Sequence, residues 1–331
     1  MKRLMDSLFP DGVASPTFVP PQELAEVLTP RLGIDAIESY LLGDDPVTSQ
    51  RTVAGVASGD MLLMPAESAQ WVGVKLATVA PHNPAVSLPR IQGTYHLFDA
   101  ATLTPRASFD ATMLTALRTP AVSAVAADRL ARPRAIDLVV FGTSVQAAAH
   151  IACLAEIRHL NSVTVVGRSL ERAAMLADRL DYPKVTAFQS DGGAPLARAL
   201  RKATVVVTCT SSSTPVFNGL MLGEDRLVIA IGSHSPYARE IDGDTLRDSY
   251  LVVENHAAAW REYGDLIIAR DEGAIGANAI SCDLRQLVRA NPEVDGGLSH
   301  VPDKPVFKSA GMGWEDLAVA AAAAKALSIT P

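Results

Sequence analysis

The sequence predicts an α/β protein that has a doubly wound parallel sheet and a separate α+β domain, and three observations support this. From Ile136 onward, short Val- and Ile-rich runs alternate with helix-like segments, a pattern typical of a parallel sheet covered on both faces. Before about residue 130, short alternating runs separated by turns favour an antiparallel sheet. The length of 331 residues is enough for two hydrophobic cores.

The N-terminal part is predicted to contain helices at residues 21–28 and 34–42, followed by strands at 60–64, 72–79 and 91–98. Thr119 followed by Pro120 is the pattern of an N-cap and a first helical turn. A helix is therefore predicted to begin there and to continue to about Ala131.

The second part is predicted to follow a linker near residue 132, where Pro133 interrupts the helix. Its parallel strands are expected at residues 136–141, 162–166, 184–188, 204–209, 227–231 and 251–253. Ser144 and Ser169 are candidate N-caps for helices at 144–158 and 169–180. The first domain is thus predicted over residues 1–132, the second over 133–304, and residues 305–331, with an Ala-rich helix at 314–327, are expected to complete the first.

Composition excludes several classes of ligand and of protein. There are 29 Lys and Arg against 36 Asp and Glu, a formal charge of -7, so no general basic field is available for nucleic acid or an anionic membrane surface. The three cysteines show no CxxC pattern, the apolar stretches are too short to span a bilayer, and no signal sequence is recognised. The seven histidines lack metal-ligand spacing. We expect a soluble cytoplasmic protein with reduced thiols and no metal.

The strongest local motif is the strand 136–141, which leads directly through Gly142 into a helix. A tight glycine turn at a helix N-terminus presents free N–H groups and the positive end of the helix dipole, which suits a pyrophosphate. The match to the dinucleotide fingerprint is incomplete, because Ser144 and Ala147 replace its second and third glycines. A hydrolase nucleophile elbow at Ser144 is disfavoured by Gln146, which stands where that motif needs glycine.

The next strand ends in Gly167, Arg168 and Ser169, about where the residue that recognises the ribose is expected. An acidic residue there would bind the 2′-hydroxyl of NAD, whereas Arg168 and Ser169 offer donors to a 2′-phosphate. NADP(H) is therefore the preferred cofactor and NAD(H) the alternative. The competing interpretation is that Arg168 is an ordinary solvated charge. The Ser/Thr run at 209–215 follows the fourth strand and either binds the cofactor or simply forms the loop.

Three cations of the first domain are candidate ligands of an anion. Lys75 is flanked on its strand face by Gly73 and Ala77, which leaves space beside a lysine that either binds an anion, takes part in a reaction, or protects an edge strand. Arg118 precedes the predicted helix start in an apolar setting, a combination that suits a carboxylate. Arg51, taken alone, is an ordinary surface charge.

Taken together, these residues resemble the ornithine cyclodeaminase/mu-crystallin family over residues 51 to about 317. The motifs that carry the resemblance are Arg51, MP at 64–65, GVKL at 73–76, LTALRT at 114–119, Gly142 with Gln146, VVVT at 205–208, GSHSP at 232–236, Glu240, GDL at 264–266 and VFKS at 306–309. The resemblance implies a substrate and dimerisation domain beside a Rossmann domain, nicotinamide-dependent imine chemistry and a homodimer.

The resemblance also implies roles for individual residues. Arg51, Lys75 and Arg118 would hold the carboxylate of an imino or amino acid, with Lys75 near the reacting nitrogen, and His234 is a candidate acid or a loop cap. The residues expected to hold the cofactor are Gly142, Thr143, Ser144, Val145, Gln146, Gly167, Arg168, Ser169, Thr210, Ser211, Ser212 and Gly232.

Two departures from the cyclodeaminase pattern bear on the reaction. His234 stands where cyclodeaminases carry an aspartate, and Arg168 stands where they tend to carry an acid. Both favour an NADPH-dependent reductase of cyclic imino acids, of the ketimine or 1-pyrroline-2-carboxylate reductase type. The alternatives are an ornithine cyclodeaminase, which forms proline and ammonia with NAD, and a mu-crystallin-like protein that binds NADPH and a small ligand.

Overall fold

The structure is a computed structural model that describes residues 16–46, 51–290 and 301–331. Those parts of the two predicted domains that fall on residues 1–15, 47–50 and 291–300 lie outside the described residues. The described chain forms one mainly antiparallel sheet and one parallel sheet with their helices, which confirms the two-domain α/β fold. No helix among the described residues has the length and apolar character needed to cross a bilayer.

The first sheet is built from the N-terminal part of the chain. Its strands are β1 (Thr17–Phe18), β2 (Thr52–Val56), β3 (Gly59–Glu67), β4 (Trp71–Val79), β5 (Ile91–Asp99) and β6 (Pro105–Asp110). Their spatial order is β1-β6-β5-β4-β3-β2, and all neighbours are antiparallel except β1 and β6. Strand β4, which carries Lys75, is therefore an internal strand.

Three α-helices accompany this sheet. They are α1 (Pro21–Val27), α2 (Pro30–Leu42) and α3 (Ala111–Leu130), and a short 3₁₀ helix lies at Asn83–Val86. Helix α2 begins before the predicted residue 34, because Thr29 caps it by accepting a hydrogen bond from the Leu32 N–H at 3.1 Å.

The predicted start of a helix at Thr119 is wrong. Helix α3 begins after Asp110, whose carboxylate accepts hydrogen bonds from the N–H groups of Thr112 (2.7 Å) and Met113 (3.0 Å). Pro120 lies inside the helix and only removes one internal hydrogen bond, a loss that the burial of the surrounding helix residues offsets. Arg118 is consequently a mid-helix residue and has no helix N-terminus beside it.

The second sheet is fully parallel. Its strands are β7 (Ile136–Phe141), β8 (Leu160–Gly167), β9 (Val185–Gln189), β10 (Val205–Thr208), β11 (Leu227–Ala230), β12 (Tyr250–Val253), β13 (Ile280–Asp283) and β14 (Pro305–Lys308). They lie in the order β13-β12-β14-β11-β10-β7-β8-β9. The order reverses between β7 and β10, so a crevice opens at their carboxyl ends, where ligands bind in such sheets.

The helices of the second sheet connect its parallel strands. They are α4 (Val145–Ile157), α5 (Leu170–Ala177), α6 (Gly193–Lys202), α7 (Gly243–Leu246), α8 (His256–Glu262), α9 (Gly264–Asp271) and α10 (Leu284–Arg289), with a 3₁₀ helix at Gly219–Met221. Separate apolar clusters cover the two faces of the sheet, as expected for a doubly wound arrangement.

The last helix, α11 (Gly313–Ala326), returns to the first sheet and packs against β3, β4, α2 and α3. The sequence predicts that the chain re-enters the first domain at residue 305. In the structure, Pro305–Lys308 is instead strand β14, which lies between β11 and β12 of the second sheet. We therefore propose that the second domain extends through Lys308 and that the chain crosses to the first domain at residues 309–312.

Candidate active site

The three cations singled out from the sequence lie together around the start of α11. Lys75 Nζ is 2.5 Å from Asp316 Oδ2, and Arg118 Nε is 3.5 Å from Asp316 Oδ1. Arg51 donates a hydrogen bond to the Gly311 carbonyl at 3.0 Å. Residues from β4, α3, the approach to β2 and the C-terminal helix thus form one charged site between the two sheets.

Lys75 is buried in the middle of the first sheet, on the β4 face that it shares with Gly73. Its position on an internal strand rules out the edge-strand interpretation. The space predicted beside it is partly filled, because the Tyr95 hydroxyl packs directly over Gly73, where any Cβ would collide with it. Lys75 Nζ also donates to Thr115 Oγ1 at 3.4 Å, so one side of the ammonium is fixed by α3.

The environment of Lys75 changes its acidity. The pKa of Lys75 is lowered from 10.5 to about 8. Loss of hydration is the largest cause, Asp316 opposes it, and the nearby charges of Arg118 and Arg51 act in the same direction as burial. The amine of Lys75 therefore titrates close to the neutral range.

Arg118 is held by two acids of the first turn of α11. Its guanidinium forms an ion pair with Glu315 as well as the longer contact to Asp316. Both acids are buried, and both lie in the first turn of α11, where a carboxylate interacts favourably with the helix dipole. Gly311 packs against the other side of the guanidinium, with φ at +82°, and no Cβ fits between them.

Gly311 connects the second sheet to the cations. Its N–H donates to Glu254 Oε2 at 3.0 Å, and the Ala310 N–H donates to the same oxygen at 2.9 Å. Its carbonyl accepts from Arg51, which also pairs with Glu262 at 2.9 Å. Burial raises the pKa of Glu254, and the N–H donors and the two arginines oppose that change.

Several buried polar atoms of this site have no hydrogen-bond partner among the described residues. They are Arg51 Nε, Arg118 Nε, Glu254 Oε1, Glu315 Oε1 and Asp316 Oδ1, of which Arg118 Nε and Asp316 Oδ1 make only their 3.5 Å ion contact with each other. Buried polar groups normally find partners, so this concentration of unused donors and acceptors fits a site for a small polar ligand.

The glycine turn after β7 leads directly into α4, as predicted, and its role as a phosphate site stays a prediction. Gly142 has φ at +133°, and a Cβ there would lie 2.8 Å from the Cys209 carbonyl. Ser144 precedes α4, but its side chain does not cap the helix, so the N–H groups of the first turn are left for a ligand. Gln146 donates to the Thr115 carbonyl at 3.0 Å and so links this turn to α3, the helix that carries Arg118.

The residues predicted to recognise the ribose lie beside this turn. Gly167 packs against Thr143, where a Cβ would lie 2.8 Å from the threonine methyl carbon. Ser169 caps α5 by accepting from the Arg172 N–H at 3.3 Å, as predicted. Arg168 is exposed and makes no side-chain hydrogen bond or ion pair with any described residue.

The other residues predicted to contact the cofactor surround a buried carboxylate. Glu240 accepts hydrogen bonds from the N–H groups of Thr210 and Gly232, both at 2.6 Å, and from the hydroxyls of Thr208 and Thr210. Burial raises the pKa of Glu240, and Lys308 and the Thr210 donors oppose the shift. Glu240 therefore fixes the loops that follow β10 and β11, and Thr210 and Gly232 already use their N–H groups within the protein.

The remaining loop residues are less engaged. Ser212 Oγ donates to the Thr214 carbonyl at 2.7 Å, and Ser211 is exposed. Neither residue is bound to Glu240, so the proposed contact of Ser211 and Ser212 with a cofactor stays a prediction.

His234 follows β11 on an exposed loop, with Nδ1 3.4 Å from the Gly232 carbonyl. Loss of hydration lowers the pKa of His234, and the charges of Arg51, Lys308 and Arg90 lower it further. The ring is therefore mostly neutral at pH 7, and its role as an acid stays a prediction. The adjacent Ser233 carbonyl accepts from the buried Lys308 at 2.7 Å, which anchors this loop to β14.

Sequence reasoning missed the acids that balance the cations. They are Glu254, Glu262, Glu315 and Asp316. Adjacent acids in the first turn of an otherwise apolar, Ala-rich helix were a usable signal for Glu315 and Asp316, because such a helix is expected to be buried and a buried acid needs a cation.

The fold and the site define a class: a Rossmann-type dinucleotide fold joined to an antiparallel domain, with a site of paired cations and acids between them. The sequence model of the ornithine cyclodeaminase/mu-crystallin family matches residues 35–327. The chain belongs to this family.

Similar proteins add detail. The Δ(1)-pyrroline-2-carboxylate/Δ(1)-piperideine-2-carboxylate reductase of Azospirillum brasilense is 35% identical over 298 residues, covering 88% of this chain and 89% of the relative. The Δ(1)-pyrroline-2-carboxylate reductase 2 of Burkholderia ambifaria is 34% identical over 317 residues, covering 88% and 95%. The solved Thermococcus litoralis Δ(1)-pyrroline-2-carboxylate reductase, in complex with NADH and L-proline, is 27% identical with a TM-score of 0.84, covering 95% and 99%.

Proposed function

We propose that the protein is an NAD(P)H-dependent reductase of cyclic imino acids, of the ketimine or Δ(1)-pyrroline-2-carboxylate reductase type. The observation that carries this proposal is the meeting of Arg51, Lys75 and Arg118 in one buried site beside the carboxyl end of a dinucleotide-type sheet. The relatives of 34–35% identity that bear reductase names support the same choice.

The cations give the reaction its orientation. A substrate carboxylate bound by Arg51, Lys75 and Arg118 would be fixed at the start of α11, and its C2 carbon would face the crevice of the second sheet. A bound reduced nicotinamide supplies the hydride that adds to C2. The electron pair of the C=N bond then passes to nitrogen, which also takes up one proton, and the carboxylate is unchanged.

Three groups are candidates to supply the proton that the substrate nitrogen takes up. They are His234, a water molecule and Lys75, which in this proposal lies near that nitrogen. The lowered pKa of His234 favours water at neutral pH, because a neutral imidazole is a poor acid.

We propose NADP(H) as the preferred cofactor. Gly142, Thr143, Ser144, Val145 and Gln146 would hold the pyrophosphate at the start of α4. The exposed guanidinium of Arg168, with Ser169 beside it, would bind a 2′-phosphate. The Thermococcus litoralis enzyme was solved with NADH, so NAD(H) is the cofactor to compare.

A substrate panel crossed with both cofactors tests the proposal. Five- and six-membered cyclic imino acids are mixed with NADPH or NADH, and the cofactor absorbance is followed. Oxidation of NADPH by a cyclic imino acid supports the reductase. Release of ammonia from ornithine without net cofactor change would identify a cyclodeaminase instead, and tight NADPH binding without turnover of any imine would identify a binding protein.

We also propose that the protein is a homodimer formed through its first sheet. Strands β2, β3 and β5 expose the apolar residues Val53, Val56, Leu63 and Ile91, which are 40–55% accessible in the isolated chain. Light scattering of the purified protein gives the mass directly. A Val53→Glu variant is expected to weaken the dimer. If the mass of this variant at low concentration equals that of the wild type, the interface lies elsewhere.

A further inference from the structure

Two adjacent acids both contact Arg118, but only one of them contacts Lys75. Asp316 lies 2.5 Å from Lys75 Nζ and 3.5 Å from Arg118 Nε, whereas Glu315 pairs with Arg118 and makes no hydrogen bond or ion pair with Lys75. Both carboxylates are buried, both lie in the first turn of α11, and both carry the same charge. Only their partners differ.

We propose that Asp316 is a positioning residue, which fixes the Lys75 ammonium for the substrate carboxylate, and that Glu315 does not share this role. The inference rests on the proposed reductase function. Asp316 and Thr115 contact Nζ from the α11 and α3 sides. A lysine side chain has four rotatable bonds, so an ammonium held by two partners loses much less freedom when the substrate binds.

The fixed contact also controls whether Lys75 carries a charge. The charged or titratable groups that face it are Asp316 from α11, Arg118 from α3, Arg51 near β2 and Tyr95 from the paired strand β5. The arginines disfavour the ammonium, and the buried, neutral phenol of Tyr95 adds no charge. Asp316 supplies the attraction that keeps Lys75 protonated in a buried place.

A purely structural role of Asp316 makes a different prediction. If the carboxylate only offset the charge of Arg118, then Glu315 would do the same, and replacing either acid would have the same consequence. Asp316→Asn and Glu315→Gln therefore form a matched pair, since each removes one negative charge from the same helix turn and leaves a similar shape.

The experiment measures kcat/KM for a cyclic imino acid with NADPH between pH 6 and pH 10 for the wild type, Asp316→Asn, Asp316→Glu and Glu315→Gln. Asp316→Asn removes the attraction that raises the pKa of Lys75, so the fall of kcat/KM at high pH should move about one unit or more toward acid. Glu315→Gln should raise KM, and its kcat/KM should fall at the same high pH as that of the wild type. Asp316→Glu should restore the wild-type pH limit with a lower kcat, because the charge is present but displaced.

A second readout does not need turnover. The dissociation constant for L-proline is measured by fluorescence across the same pH range, and in Asp316→Asn it should weaken at a lower pH than in the wild type. Thermal unfolding and NADPH binding check that each variant is folded. If Asp316→Asn does not fold, Asp316→Glu decides: a kcat equal to that of the wild type would overturn the proposal.

The proposed function and the proposed role of Asp316 can be contradicted separately. A wild type that reduces no cyclic imino acid contradicts the proposed function. A wild type that does so, together with an Asp316→Asn variant whose pH limit is unchanged or a Glu315→Gln variant whose limit moves equally, contradicts only the role of Asp316.

Discussion

The proposed substrate site and the proposed cofactor site hold their positive charges in opposite ways. Lys75 and Arg118 are only 4% and 6% exposed, and both contact carboxylates of α11. Arg168, at the proposed cofactor site, is exposed and makes no ion pair with any residue that the structure describes. A buried cation needs a counterion, whereas an exposed one is solvated. The cations of the proposed substrate site therefore have counterions before any ligand binds, whereas the guanidinium of Arg168 is free to pair with a ligand.

The strongest test of this comparison is Lys75→Met. The variant removes one cation of the proposed carboxylate clamp and leaves Asp316 buried with only the longer contact to Arg118. We expect kcat/KM for a cyclic imino acid to fall by about 10²- to 10⁴-fold. NADPH affinity, measured by fluorescence titration, should stay within about twofold, because Lys75 lies in the first sheet. Activity within tenfold of the wild type would remove Lys75 from the proposed site.

The contact between α4 and α3 can be tested through the pH dependence of the stability of the protein. His150 on α4 is buried, with Nδ1 2.7 Å from the Gln146 carbonyl and Nε2 3.0 Å from Ser123 Oγ on α3. Burial lowers the pKa of His150 from 6.5 to about 4. The unfolded chain therefore takes up this proton first, and stability that is present above pH 6.5 is lost as pH falls toward 4.

We expect this loss to reach about 3 kcal/mol in the free energy of unfolding. Urea unfolding of the wild type and of His150→Gln at pH 7 and pH 4.5 measures it. The variant should lack this component, and equal pH dependence in both proteins would assign the acid sensitivity to other groups.

Gly311→Ala tests how closely the buried cations are held. The substitution places a methyl group against Arg118 and a non-glycine residue at φ +82°, and we expect a loss of about 2–3 kcal/mol in stability with impaired substrate binding. Gly273→Ala is the matched control, since Gly273 has φ +75° with open space around it, and should show only the smaller backbone cost. Equal losses in urea unfolding would mean that the contact with Arg118 contributes nothing.

Arg168→Ser tests the exposed side. Loss of a charge-assisted contact to a 2′-phosphate should weaken NADPH binding by about 10- to 100-fold and leave NADH binding unchanged. Arg179→Ser removes the same charge from the exposed turn that follows α5 and should change neither affinity. If wild-type protein binds NADH as tightly as NADPH in the same titration, the assignment of Arg168 fails.

The smallest effect is expected from His234→Gln. Because the ring is mostly neutral at pH 7, kcat should fall by less than about tenfold if water supplies the proton. A loss of about 100-fold or more in kcat, with KM unchanged, would instead identify His234 as the acid.

The local parts of the molecule were readable from the sequence. The strand β7 was predicted with its observed bounds, Ile136–Phe141, and the glycine turn and α4 follow as expected. These features depend on neighbouring residues, through apolar runs, turn glycines and helix starts. Thr119 and Pro120 gave a wrong helix start because their pattern is also local. The helix begins after Asp110, whose side chain caps it, and Pro120 is tolerated inside the helix because its surroundings are buried.

The partners of the cations were not readable, because they are distant in the chain. Arg118 and Glu315 are 197 residues apart, and Lys75 and Asp316 are 241 apart. Arg51, taken alone, read as an ordinary surface charge, and only the family resemblance gave it a role, because its partners Gly311 and Glu262 are also distant in the chain. Sequence patterns report periodicity, but which charges meet depends on where the last helix packs.

The return of α11 also has a consequence for how the protein is made. Lys75 and Arg118 leave the ribosome well before Glu315 and Asp316, and at about 5–20 residues per second the 197 residues after Arg118 take about 10–40 s to synthesise. During that interval the nascent first domain holds cations whose counterions have not yet been synthesised. The site formed by these cations is therefore completed only after Glu315 and Asp316 have been added, while the glycine turn that follows β7 has its neighbouring strand β8 much earlier.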